Sequence, residues 1–258
     1  MSDKLMSAEE AVADIPAGAS IAAGGFGLCG IPQVLIEALT ERGVGELEVF
    51  SNNAGVDGKG LGMLLERGRL RRIVASYVGE NKEFARQYLA GELEVELTPQ
   101  GTLAERMRAG GSGIGAFFTR TGVHTFVADG GMPWRYAPDG SVAMASPPKE
   151  TRVIRGHTYV LEQAIEADYS LVRAAVADRS GNLRFNLTAR NFNPLAAMAG
   201  RICLVEAEKV VEVGELAPDD IHLPGVFVHR LVELTPEQVA ATKWVEKVTT
   251  NPPTEAQR

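Results

Sequence analysis

Three clusters of glycine and neutral amide residues, each placed where an apolar run stops, are where this sequence can do chemistry. The first is Gly24-Gly25-Phe26-Gly27-Leu28-Cys29-Gly30, between Ala19–Ala23 and Pro32. Glycines let backbone N–H groups approach an anion, and a helix starting at Pro32 would add a favourable dipole. Gly25, Gly27 and Gly30 also fit G-x-G-x-x-G. The nicotinamide reading of that motif needs an acidic residue at the tip of the next strand to hold a ribose. That strand ends Phe50-Ser51-Asn52-Asn53, with no carboxylate at its tip, so a nicotinamide enzyme is disfavoured. A tight strand-to-helix turn that binds nothing stays open. The P-loop motif G-x-x-x-x-G-K-[ST] does not occur.

The second cluster, Asn52 and Asn53, offers donors and acceptors without charge, suited to orienting a carboxylate or thioester oxygen. The bland reading is a turn tolerant of left-handed backbone. The third is Gln100, in Leu97-Thr98-Pro99-Gln100. Pro99 keeps Thr98 out of helical geometry, so a strand ends there and Gln100 falls at a strand–helix turn. Its amide can donate to a developing oxyanion, or simply cap the helix that follows. Glu80, in Val78-Gly79-Glu80-Asn81, is a conceivable nucleophile, but such a residue more often stabilises a helix start. His124, His157, His222 and His229 contain no i,i+4 pair, and His229, alternating with apolar neighbours, reads as a sheet residue. No metal is expected. Cys29 has no histidine partner nearby in sequence and reads as a packing residue.

Positioning these groups requires a strand–helix alternation, and the chain supplies it. Ser7-Ala8-Glu9-Glu10 has capping-box spacing for a short helix. Strands are expected at Ala19–Ala23, Leu47–Phe50, Ile73–Ala75 and Leu93–Leu97, with helices from Pro32 to Gly43, around Met63–Leu65, at Glu83–Leu89 and at Thr102–Met107. This pattern predicts the α/β class with an open, mainly parallel sheet. After Gly113 the texture changes to short strands between glycine turns: Phe117–Thr119, Val123–Ala128, Val153–Ile154, Thr158–Leu161, Leu171–Val176 and Leu183–Phe185. An antiparallel hairpin region in the second half is the expectation. Ala196–Ala199 reads as helical, and Ile202–Val205 and Val226–Val232 as closing strands. A single domain over 1–248 with an exposed tail at 249–258 follows.

The 258 residues are 45% hydrophobic and 23% charged, with 26 Lys plus Arg against 33 Asp plus Glu, a net charge of −7. That balance excludes a large nucleic-acid surface, which needs clustered excess cation. With 2 Cys there is no disulfide framework, and the expected compartment is the cytoplasm. The uncharged stretch Ile15–Ile36 is long enough to cross the ~30 Å of a bilayer core, yet its interior glycines suit a strand, loop and helix start better than a span.

The strings GGFGLCGIP, SNNAGVDGKGLGMLL, SYVGENKEFARQYLAGELEVELTPQGTLAERMRAGGSGIGAFFT and ARNFNP resemble the alpha (A) subunit of the 3-oxoacid CoA-transferases, class I, over Ala11 to about Leu231. The resemblance implies a fold shared with the ribose-phosphate-isomerase-like group. It implies movement of CoA between succinyl-CoA and a 3-oxoacid such as acetoacetate, with CoA and acyl-CoA as substrates and no permanently bound cofactor. It also implies a beta-subunit partner, in a heterodimer or α2β2 heterotetramer. In that family a glutamate attacks the thioester, and its Glu-Asn-Gly motif belongs to the beta subunit. Here Glu80-Asn81 is followed by Lys82, so the chain is expected to be half of an active site.

Carried over by position, Gly24 to Gly30 would contact CoA, Gln100 would serve the oxyanion, and Asn52 and Asn53 would line the carboxylate side. The segments Thr119–His124 and Arg184–Leu187 depart from the family pattern, which leaves acceptor preference open. Transfer to 3-oxoadipate is the close alternative. A non-catalytic acyl-CoA or phosphosugar binder on the same fold is the distant one.

Overall fold

The computed structural model describes residues 4–79 and 81–243, so Glu80 and the expected tail at 249–258 lie outside the described residues. The first half alternates as expected: α1 (Ala8–Val12), β1 (Ser20–Ala23), α2 (Gln33–Arg42), β2 (Leu47–Phe50), α3 (Gly62–Glu66), β3 (Leu70–Ala75), α4 (Lys82–Leu89), β4 (Glu94–Leu97) and α5 (Gln100–Gly111). An insert of β5 (Ala116–Thr119), α6 (Phe126–Asp129), β6 (Pro133–Tyr136), β7 (Val142–Ala145), β8 (Thr151–Ile154) and β9 (His157–Gln163) follows. The chain closes with β10 (Ala167–Ala174), β11 (Val176–Asp178), β12 (Leu183–Arg184), α7 (Asn193–Ala199), β13 (Gly200–Ala207), β14 (Val210–Val211), β15 (Arg230–Glu233) and α8 (Pro236–Thr242).

Seven strands form one sheet in the order β15-β13-β10-β1-β2-β3-β4, every neighbouring pair parallel. The chain runs outward from β1 to β4, then returns to β10 on the other side of β1. That reversal is a topological switch point at the carboxyl ends of β1 and β10, the position at which open α/β sheets commonly bind ligands. Side chains alternate between two cores. Ile21, Val49, Ile73, Val95, Leu171 and Leu204 pack with α1 to α4 on one face. Ala22, Phe50, Val74, Val172, Cys203 and Val205 pack with Leu103 and Met107 of α5 and Ala196, Ala197 and Ala199 of α7 on the other.

Local chemistry sets the element ends. Ser7 and Glu10 make the expected capping box, and Gly43 ends α2 at φ +76. Pro32 is the cap residue of α2, one position earlier than the first helical residue.

Three expectations are corrected. Val123–Ala128 is not a strand: Thr125 accepts from the Val127 N–H and opens the short helix α6. Leu171–Val176 belongs mainly to β10, a central strand of the parallel sheet and not a hairpin of the insert. Val226–Val232 divides into a 3-10 turn at Gly225–Phe227 and β15. His229 therefore sits before β15, where its Nδ1 accepts from the Cys203 N–H at 3.0 Å. Among the described strands, antiparallel ladders join β5-β9-β8, β6-β7 and β11-β12.

Candidate active site

Two residues beyond β2, Asn52 is fully buried, and its Oδ1 accepts from Gln100 Nε2 at 2.7 Å and from Ser76 Oγ at 2.8 Å. Ser76 follows β3 and Gln100 opens α5 after β4, so three neighbouring strand ends converge on one amide. The backbone ladder continues past the strands: the Ser76 N–H donates to the Asn52 carbonyl at 2.9 Å, and the Thr98 N–H to the Ala75 carbonyl at 2.9 Å. Holding Oδ1 with two donors fixes which way the amide faces. Asn52 Nδ2 is left buried without a hydrogen-bond partner. A buried donor left unmade costs about 1–3 kcal/mol, which makes it a poised site for an acceptor.

Both bland readings of these amides meet contrary geometry. Neither Asn52 nor Asn53 has positive φ; Gly55 takes that conformation at φ +69. The start of α5 carries no side-chain cap, and Gln100 reaches across to Asn52 while staying exposed. Asn53, also buried, donates to Tyr77 Oη at 3.3 Å and accepts from the Gly55 N–H at 3.3 Å. Tyr77 itself is 45% exposed, so this end of the cluster opens to solvent.

The glycine loop begins where β1 ends, beside this cluster, with the Gly24 N–H on the Leu171 carbonyl at 2.9 Å. Phe26 and Cys29 exchange backbone hydrogen bonds of 3.0 Å each way, so Gly27-Leu28 forms a tight hairpin. The glycines divide by role. A Cβ on Gly24 would lie 2.0 Å from Asn193 Oδ1, and one on Gly30 would lie 2.8 Å from Asn193 Nδ2. These two are glycine because the buried Asn193 packs against them. Gly27 faces open space at φ +60, and Phe26 is 45% exposed. Contact with a ligand is thus available at the tip, Phe26 to Cys29, more than at the buried base. Cys29 is half-buried, with its Sγ 3.4 Å from Thr188 Oγ1.

The expected helix dipole is differently used. The Leu35 N–H donates to Glu206 Oε2 at 3.0 Å, so a protein carboxylate already occupies the start of α2. The dinucleotide geometry, with pyrophosphate on that helix end, is blocked by this internal carboxyl group. Burial pushes Glu206 up to about 7, against the downward pull of Arg173 and of the Val34 and Leu35 amides. Asn193, Ser76 and Glu206 were not singled out from sequence. Asn193 stands inside ARNFNP, but nothing local marks it as the plug under a loop more than 160 residues away.

A cavity of about 500 Å³ lies elsewhere, on the sheet face under the insert, lined by Arg72, Glu96, Arg106, Trp134 and Lys149 among others. Most of its charged groups are held in ion pairs. Arg72 meets Glu48, Glu94 and Glu96, Arg106 meets Glu96 at 2.6 Å, and Lys149 meets Glu162 at 2.7 Å. This is a structural ion network. Among the described residues no group of His, Cys, Asp and Glu is placed to hold a metal ion, and no helix is long and apolar enough to cross a membrane.

An open parallel sheet with a topological switch point and neutral amides at its carboxyl edge defines an open α/β protein, and comparison supplies the family. Residues 5–234 match the family model described as coenzyme A transferase, and the chain belongs to that family. It is 63% identical over 233 residues to the A subunit of a probable succinyl-CoA:3-ketoacid coenzyme A transferase of Mycobacterium tuberculosis, covering 90% of this chain and 94% of that one. It is 56% identical to the A subunit of the succinyl-CoA:3-ketoacid coenzyme A transferase of Xanthomonas campestris pv. campestris, covering 90% and 89%. Among solved structures, the acyl-CoA transferase of Escherichia coli in a thioester complex with CoA superposes with a TM-score of 0.76 at 22% identity. That match covers 90% of this chain and 47% of the other, so the chain spans about half of that protein's length.

Proposed function

We propose that this chain is the alpha subunit of an enzyme that moves CoA between succinyl-CoA and a 3-oxoacid, with acetoacetate as the favoured acceptor. The observation that carries the reading is the Gln100–Asn52 amide pair, with a buried unpartnered donor, at the carboxyl edge of the sheet. Residue identities of 63% and 56% to relatives named for that activity support it.

The chemistry is a carboxylate exchange on a thioester. A glutamate of the beta partner attacks the acyl-CoA carbonyl carbon, and the C–S bond breaks to release CoA thiolate and leave a mixed anhydride. The thiolate then attacks the glutamyl carbonyl, expelling the first carboxylate and leaving a glutamyl-CoA thioester. The acceptor carboxylate re-enters by the reverse of these steps. No redox or net proton change is required. Splitting one exchange in this way lowers each barrier.

This chain's part is binding and polarisation. Gln100 donates to the oxygen that gains charge, and it can do so without a titratable group. Asn52 holds Gln100 and offers Nδ2, and Asn53 lines the same edge. The exposed loop tip, Phe26 to Cys29, meets the coenzyme, while buried Gly24, Gly25 and Gly30 shape the loop. No resident cofactor is needed, one domain over 1–248 performs the role, and the cytoplasm is its compartment. The test is transfer of CoA from succinyl-CoA to acetoacetate by the chain mixed with a beta subunit carrying Glu-Asn-Gly. Failure to transfer with any 3-oxoacid under that pairing would overturn the proposal.

A further inference from the structure

Helix α2 carries ten residues but begins without a cap of its own. Pro32 offers no side-chain acceptor, and no acidic residue stands in the first turn. Free N–H groups at a helix start must find partners when buried. Here the partner comes from the far side of the switch point. Glu206, fully buried near the carboxyl end of β13, accepts from the Leu35 N–H at 3.0 Å and serves Val34 as well.

The carboxylate is not isolated. Arg173 of β10, itself 4% exposed, places Nη1 3.3 Å from Glu206 Oε1. The same arginine gives its backbone N–H to Asn193 Oδ1 at 3.0 Å, and Asn193 Nδ2 donates to the Gly30 carbonyl at 2.9 Å. One residue of β10 is therefore the hub from which two buried side chains grip the loop. Asn193 holds Gly30, and Glu206 holds the helix that the loop enters. Ile31, between these two anchors, packs against Gly25, where a Cβ would lie 3.1 Å from the Ile31 Cα.

We infer that Glu206 is a positioning residue for the coenzyme loop: it occupies the α2 amides, fixes where the loop ends, and reserves the exposed tip for the ligand. The inference rests on the reading of residues 24–30 as the loop that meets CoA. A buried carboxylate is costly to keep, and a well-packed neutral residue is often no less stable. Its retention at this place is accounted for by what it holds. The charged groups facing it are Arg173 from β10 and Glu37 from α2. Glu208, just beyond the end of β13, pairs with Arg173 at 2.9 Å and with Lys243 at 2.8 Å.

The test compares wild type and Glu206→Gln, each assembled with the beta partner, by steady-state kinetics and by amide hydrogen exchange. Weaker grip on the loop should raise KM for acyl-CoA about tenfold while kcat changes less than about threefold. Exchange at residues 26–35 should accelerate, with the amides of β2 to β4 unchanged. Wild-type exchange at 26–35, or an unchanged KM, overturns the inference. Should wild type transfer no CoA at all, the activity reading fails, while the exchange measurement still decides the positioning role. If that variant does not fold, Glu206→Asp replaces it, whose shorter side chain keeps the carboxyl group but withdraws it from the α2 amides. Faster exchange at residues 26–35 is expected, and wild-type exchange there overturns the inference.

Discussion

Gln100 and Gly24 mark the two kinds of residue in this site, one aimed at chemistry and one at packing. Gln100 is exposed, caps nothing and touches Asn52. If it stabilises the transition state, Gln100→Ala in the assembled enzyme should lower kcat by roughly 10²–10³ and leave KM for acyl-CoA nearly unchanged. A kcat within twofold of wild type removes Gln100 from the mechanism. Gly24 gives the opposite profile. A methyl there would run into Asn193 Oδ1 at 2.0 Å and the Asn193 Cα at 3.0 Å, so Gly24→Ala should destabilise the fold by about 3 kcal/mol in denaturant melts. Gly27 meets nothing within 4 Å, and only its φ of +60 resists a side chain. Gly27→Ala should therefore cost about 1 kcal/mol. Equal losses for the two would show that Asn193 moves aside and is no plug.

Among the elements, the insert is the one that must be attached to something. It lies over Glu48, Arg72, Glu94 and Glu96 of β2, β3 and β4, charged residues on the face that also carries Phe50 and Val74, and Trp134 of β6 stacks over Arg72 at 5.4 Å. Removing the arginine leaves three carboxylates crowded in a half-buried place, so Arg72→Ala should cost roughly 3–5 kcal/mol at pH 7. The pH dependence has a definite sign. Burial alone would raise the Glu96 pKa, but Arg106 and Arg72 hold it below the ordinary carboxylate value. A depressed carboxylate contributes stability above its unfolded pKa, and loses it as pH falls through the folded one. The gap between wild type and Arg72→Ala should therefore narrow below about pH 4. A gap constant from pH 7 to pH 3 would mean that the arginine acts by packing alone.

The same elements show what was legible in the sequence. Capping residues and glycines located α1, α2 and α5, and apolar runs located β1 to β4, because those features are local. Val123–Ala128 misled because its apolar residues read as a strand, whereas Thr125 as a helix cap decides the backbone. The run Leu171–Val176 was legible as a strand, but its seat between β13 and β1 depends on pairing with β1 about 150 residues away. Asn52 and Gln100 were each visible at a strand end. Their 2.7 Å hydrogen bond, and the grip of Asn193 and Glu206 on the glycine loop, depend on strand order, which no local pattern carries.

For the whole molecule, the decisive feature is that one half of the sheet supplies amides and the other half supplies anchors. Strands β1 to β4 end in Gly24, Asn52, Ser76 and the Thr98–Gln100 turn. Strands β10 and β13 bring Arg173 and Glu206, which are committed to each other and to α2. Asp57, in the turn that follows Asn53, accepts from the Lys82 and Glu83 N–H groups and is likewise engaged. On the proposed reading, these residues supply neutral donors and the attacking oxygen comes from the beta partner. The isolated chain should then exchange no CoA, and activity should appear only on mixing with a chain that carries Glu-Asn-Gly. Mass spectrometry of the mixture, quenched during turnover with succinyl-CoA, should find the CoA adduct on a glutamate of the partner and none on this chain. Because covalent capture locates the nucleophile independently of rate, an adduct on any acidic residue of this chain, Glu80 included, would reverse the division of labour between the two subunits.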